Sequence, residues 1–159
     1  MQDQTPDRAT PDVAEWAEGA HHNAADLAAM LGVTPEQFAK DPLTLLPGLQ
    51  NYVSRLPLDQ FEQSDWITLH SDLTSYLADV LVRRRNATWQ KVDDSSSPTG
   101  SRFFIVATGI DGAVHQIEPY DVVMEEFRNP PIEIARMIAN AEAVLHVTPV
   151  TDQTDEVTE

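Results

Sequence analysis

The sequence predicts an α+β domain: a mainly helical N-terminal half, then a three-stranded antiparallel meander packed against a long helix and two C-terminal helices. Three observations carry that expectation. Trp66, Leu69, Leu73, Leu77, Val80 and Leu81 recur at three- and four-residue steps, the period of a helix with one buried stripe. Three short segments rich in β-branched and aromatic residues follow, separated by the loop SSSPTG and the hairpin signal Asp111-Gly112. Two more helical patterns come after them, so the strands are grouped instead of alternating with helices, which is the order of an α+β fold.

Each element has its own signals. Over 11–31 a helix is expected, with Thr10 as cap, Pro11 in the first turn, and Asp12 and Glu15 at the positive end of the dipole. Gly32 ends it, Gly19 is a point where it could divide, and its mostly alanine content predicts light packing. Thr34-Pro35-Glu36-Gln37 opens a short helix, with Gln37 at the reciprocal capping-box position, and Asp41-Pro42 stops it. A third helix over 43–56 is interrupted by Pro47-Gly48 and closed by Pro57. The long helix covers 65–85, opened by Ser64, with Thr68, Asp72, Ser75 and Asp79 on its solvent side.

Strands follow over 88–92, 102–108 and 113–117. The run FFIVA is apolar at every position, which places the second strand in the middle of the sheet. Helices over 120–127 and 129–145 close the domain; Asn129 is the expected cap of the last one, ahead of Pro130-Pro131, and Ile134, Ile138, Ala141 and Leu145 share one face.

A chain of 159 residues suits one hydrophobic core. Residues 1–10 and 148–159 are polar and acidic without apolar periodicity, so both are expected to be disordered tails around a single domain, 11–147, made of a helical segment (11–63) and a helix–meander–helix core (64–147). No internal repeat is present. No run approaches the roughly 18 apolar residues of a membrane span, and no basic-then-apolar signal pattern opens the chain, so the expected location is cytoplasmic and away from membranes.

Ten basic side chains stand against 26 acidic ones, a formal net charge of -16. That field opposes nucleic acid and anionic membranes and favours a basic protein partner or a cation. With no cysteine, the chain has no disulfide, no thiolate nucleophile and no cysteine-ligated metal.

Against this charge, Arg83, Arg84 and Arg85 stand in a row. They fall in the last turn of the long helix, where cations meet exposed carbonyls; Asp79 is one turn before Arg83, and Asn86 suits the left-handed residue that ends a helix. With Arg102, Lys91 and a stacking Trp89 they also form a candidate anion or partner site, with Asp93 and Asp94 placed to neutralise it.

Other chemistry is weaker. Glu18, His22 and Asp26 have metal-ligand spacing on a helix, which an acidic helix also produces by chance. His70 and Asp72 point to different sides, and His115 in a strand reads as packed or surface. Glu125 and Glu126 diverge by about 100° on a helix and read as a solvated face. No nucleophile elbow, phosphate-cradling loop or His-Glu-x-x-His is present, so no catalytic, cofactor-binding or metal residue is assigned and no cofactor is expected.

Two resemblances remain. LAAMLGVTPEQF resembles the middle of a helix-turn-helix domain, with only Gln37 and Lys40 on the helix that would enter the groove. The pattern ATWQKVDD, then RFFIVATGIDG, then IEPYDVVMEEF resembles small acidic bacterial domain proteins of unknown function. It is also similar to the helix–meander–helix plan of some toxin-immunity proteins and secretion chaperones. The expected function is a small non-enzymatic cytoplasmic protein-binding or adaptor domain, with a basic protein partner and self-association as a homodimer both considered. The alternatives are a small-molecule or metal-dependent enzyme with a site near Arg84, Trp89, Arg102 and His115, and third a DNA-binding regulator.

Overall fold

The computed structural model of the chain describes residues 12–97 and 100–148. The expected tails, with Thr10 and Pro11, lie outside the described residues apart from Thr148. Helix α1 spans Val13–Met30 and runs unbroken through Gly19. Its cap is Asp12, not Thr10, with the Glu15 amide donating to Asp12 Oδ1 at 2.7 Å. The short α2, Pro35–Lys40, carries both halves of the capping box between Thr34 and Gln37.

A 3-10 turn, Pro42–Leu45, leads into α3, Leu46–Ser54. Pro47 therefore begins this helix instead of interrupting it, because a first-turn position has no intrahelical use for the missing N–H. Helix α4, Gln63–Arg85, is capped by Glu62 with Asp65, two residues ahead of the expected Ser64. Asn86 ends it in the left-handed conformation, φ 58°.

Strands β1 (Thr88–Asp93), β2 (Ser101–Thr108) and β3 (Val114–Ile117) pair antiparallel in the order β1-β2-β3, with β2 central as expected. The register sets Trp89 opposite Ile105 and Ile105 opposite Ile117. Phe103, Ile105 and Ala107 are buried on the face covered by helices, and the alternating Arg102, Phe104 and Val106 are half-buried on the other.

Helices α5 (Pro119–Phe127) and α6 (Ile134–Leu145) close the fold. Asn129 does not cap α6: its Nδ2 donates back to the Glu125 carbonyl at 2.9 Å, and the Pro130-Pro131 peptide, in the cis form, belongs to the connection. Distant groups satisfy the start of α6 instead. Ile134 N donates to Gln50 Oε1 of α3 at 2.7 Å, and Glu133 N to Glu126 Oε2 of α5 at 2.9 Å.

The core is built around α4. Leu73, Leu77 and Leu81 are fully buried as the stripe predicts, but every residue from Ser75 to Leu81 is buried as well, Ser75 and Asp79 included. Ser75 and Asp79, expected in solvent, lie beneath α1 instead. The physical reason is in α1 itself: Ala24 and Ala28 are 0% and 1% exposed, and such small side chains let two helix backbones approach closely. Alanine content here means tight packing, not light packing. Among the described residues no helix is long and apolar enough to cross a membrane.

Candidate functional site

The arginines at the end of α4 do not act as one cluster, because Arg83 faces one neighbouring helix while Arg84 and Arg85 face another. Arg83 turns toward α2: Nη1 donates to Asp79 Oδ2 at 3.0 Å, and Nη2 donates to the Phe38 carbonyl and, at 2.6 Å, to that of Ala39. Its guanidinium also lies 4.9 Å from the Phe38 ring centroid. Arg85 turns toward α6, with Nε donating to Glu142 Oε2 at 3.0 Å, and Arg84 Nη1 stands 4.0 Å from the same oxygen. These side chains tie α4 to α2 and α6.

Trp89 and Arg102 are drawn into a different place, a cleft of about 880 Å³ between α1, α4, the sheet and the start of α5. Arg83, Arg84 and Arg85 do not line it. One wall is aromatic. Trp16 of α1 stacks on Phe103 of β2, centroids 4.0 Å apart and planes at 3°, and meets Trp89 of β1 edge to face at 6.1 Å. A second pair comes from α4 and α5, where His70 and Tyr120 stack at 3.9 Å and His70 Nε2 donates to the Tyr120 carbonyl at 2.9 Å. Burial holds the His70 imidazole below its usual range, against the opposing pull of that carbonyl and of Asp121.

The helical side of the cleft is polar. Asn23 of α1 donates to Ser75 Oγ at 3.0 Å and to Asp72 Oδ1 at 3.3 Å, and burial pushes the Asp72 carboxyl upward. Thr74 lies between, and its buried Oγ1 has no hydrogen-bond partner among the described residues.

Charge on the lining is strongly one-sided. Among the described residues that line it, Glu15, Asp94, Glu118 and Asp121 face Arg102 as the only lysine or arginine. Arg102 is itself engaged: it donates from Nε to Glu118 Oε1 at 3.1 Å and pairs with the same oxygen through Nη2, while Asp94 Oδ2 stands at 3.6 Å and Asp121 Oδ2 at 3.8 Å. Glu118, first by hydrogen bonding and then by charge, holds the guanidinium firmly protonated. The Asp94 carboxyl is kept below the usual carboxylate range chiefly by the Ser96 hydroxyl and amide. An aromatic wall edged with carboxylates whose one cation is already paired suits a positively charged ligand.

Other sequence candidates end up elsewhere. His22 Nε2 stands 3.5 Å from Asp26 Oδ2 on exposed surface, and Glu18 does not join them as a third ligand. The neighbouring His21 is the structurally engaged histidine, its Nδ1 2.7 Å from Asp79 Oδ1. Glu125 is solvated and meets Arg128 at 3.2 Å, whereas Glu126 is buried and held by Arg136, because α6 folds back over that side of α5. Gln37 is occupied by the α2 cap, which leaves Lys40 as the one cation on that helix. The grouping of Arg84, Trp89, Arg102 and His115 does not form, since neither Arg84 nor His115 lines the cleft.

Sequence reasoning did not single out Trp16 or Tyr120 and set His70 aside. Trp16 carried a usable signal: a lone, large aromatic in an alanine-rich helix has to find a surface to cover. No protein-family model matches the chain, no curated protein matches its sequence, and no solved structure matches its fold.

Proposed function

We propose that this chain is a non-enzymatic protein-binding domain that receives a basic segment of a partner protein in the cleft between α1, α4 and the sheet. The observation that carries this reading is the charge of the lining: four carboxylates around an aromatic wall, with Arg102 already neutralised from within. A lysine or arginine side chain entering there meets Trp16 and Tyr120, both partly exposed, and lays its apolar stem along the rings. The overall charge of -16 supports the same partner at longer range by speeding its encounter. A binding role, in preference to catalysis, is supported by His70, whose Nε2 is committed to the Tyr120 carbonyl.

The test uses the full chain and a fluorescently labelled peptide of alternating leucine and lysine or arginine, beside its glutamate counterpart. Saturable binding of the basic peptide, weakened by salt and by Trp16→Ala, is the expected result. Equal binding of the acidic peptide, or no binding of the basic one at low salt, would defeat the reading. An Asp121→Lys variant checks the charge argument separately, and its main effect should be slower association.

A further inference from the structure

Away from the cleft, the turn between β2 and β3 and the C-terminus of α6 bring one carboxylate and two imidazoles to a single point. Asp111 lies in the turn, His115 is the second residue of β3, and His146 is the residue that ends α6. His115 Nε2 stands 2.9 Å from Asp111 Oδ2, and His146 Nδ1 stands 3.9 Å from the same oxygen. The two imidazole rings stack, with centroids 4.1 Å apart and planes at 25°. One potential ligand atom from each residue lies within 4.8 Å of the others, and among the described residues no other trio of such side chains converges in this way.

The backbone around the trio is closely fitted. A Cβ on Gly109 would stand 2.7 Å from both Asp111 Oδ1 and His146 Cβ, and 2.8 Å from His146 O, so only glycine lets the turn come this near the helix end. Ile110 N donates to His146 O at 2.7 Å and locks that approach. Ala113 N donates to Asp111 Oδ1 at 3.1 Å, which leaves Oδ2 toward the imidazoles. His146 itself adopts φ 57°, the left-handed conformation that turns the chain out of α6. An aspartate–histidine hydrogen bond accounts for Asp111 and His115. It does not account for a second imidazole stacked on the first, with its Nδ1 near an oxygen already taken.

We propose that Asp111, His115 and His146 form a binding site for a divalent transition-metal ion of the zinc class, held through Oδ2, Nε2 and Nδ1. Two neutral imidazoles and one carboxylate are borderline ligands that suit this class, whereas calcium and magnesium take oxygen ligands in larger number. Ligand atoms around a tetrahedral ion lie roughly 3.3 Å apart. The trio closes to that spacing by modest rotation of side chains that are partly exposed, His146 at 46% and Asp111 at 42%. Three protein ligands leave a fourth position for water or an incoming donor atom. The bound ion clamps the end of α6 to the β2–β3 turn, and the site stands independently of the cleft.

The experiment titrates the metal-stripped full chain with Co²⁺, read by its visible absorption, followed by displacement with Zn²⁺. One equivalent bound with micromolar or tighter affinity, retained in excess Mg²⁺ and accompanied by a higher melting temperature, is expected. Loss of one ligand should weaken Zn²⁺ binding by at least about tenfold. The variants are His115→Ala and His146→Asn, the latter because asparagine tolerates the left-handed backbone, and circular dichroism checks that both fold. His22→Ala should bind like the parent. Binding that survives both substitutions places the ion elsewhere, several weak equivalents displaced by Mg²⁺ mean only the acidic surface, and no saturable binding means no site; each of these overturns the proposal.

Discussion

Arg83 Nη1 donates to Asp79 Oδ2 at 3.0 Å across one turn of α4, and the Asp79 side chain is only 4% exposed. The pair is therefore internal, although its spacing in sequence is that of an exposed helical pair. A carboxylate removed from water is tolerated only with strong partners, and Asp79 has a second one in His21 Nδ1 on its other oxygen.

Removing Arg83 leaves Asp79 with His21 alone and strips the Phe38 and Ala39 carbonyls of their donor. Arg83→Ala should destabilise the fold by about 3–5 kcal/mol in urea unfolding, the usual cost of breaking a buried pair from one side. Arg84, with a side chain 36% exposed and its nearest carboxylate at 4.0 Å, should change stability by less than about 0.5 kcal/mol when replaced by alanine. Equal effects at the two positions would mean that the arginines act through the helix dipole, which does not distinguish them, and not through Asp79.

The contrast between these neighbours shows what the sequence could and could not reveal. The leucine stripe of α4 and the central place of β2 were legible, because each follows from a local period of apolar residues. The burial of Ser75 and Asp79 was not, since a polar side chain reads as exposed until its partner is known. Those partners, Asn23 and His21, lie 52 and 58 residues away. The start of α6 was misplaced for the same reason: the amide of Ile134 is satisfied by Gln50, 84 residues earlier, so no local cap was needed. Of the cleft, only Trp89 and Arg102 were visible; the arginines of α4 are drawn away from them by Asp79 and Glu142, partners that the local sequence around the strands does not show.

His70 makes the fold sensitive to acid. Its imidazole is buried against Tyr120, and burial is the main cause that lowers its pKa in the folded state. The unfolded chain takes up a proton near the ordinary histidine value of 6.5, where the folded chain resists it. Protonation thus favours unfolding: stability is full above that pH and declines as the pH falls from it toward the lowered folded value. Asp72 shifts the opposite way: burial makes its carboxyl take up a proton more readily in the folded chain, so as the pH falls it offsets part of the loss instead of adding to it. The urea midpoint should begin to drop as the pH falls below about 6.5, and His70→Gln should flatten that limb. A midpoint that stays level down to pH 5 in the parent chain would contradict a desolvated His70.

Thr74 offers the last test, because its hydroxyl is a polar group kept where the described residues give it nothing to bond. Its Oγ1 is buried and unpartnered among the described residues, on the α4 face that lines the cleft. An unsatisfied buried hydroxyl costs free energy, whereas an apolar group of the same shape does not. Thr74→Val keeps the β-branched shape, so it should raise stability by roughly 1 kcal/mol. Thr74→Ser keeps the hydroxyl but loses a methyl group, and should lower stability by roughly 0.8 kcal/mol. Urea unfolding of the two variants separates volume from polarity at one position. If valine destabilises as much as serine, the hydroxyl is bonded in solution and its persistence needs no ligand. If valine stabilises the free chain while weakening its grip on the basic peptide, the hydroxyl is retained for what enters the cleft.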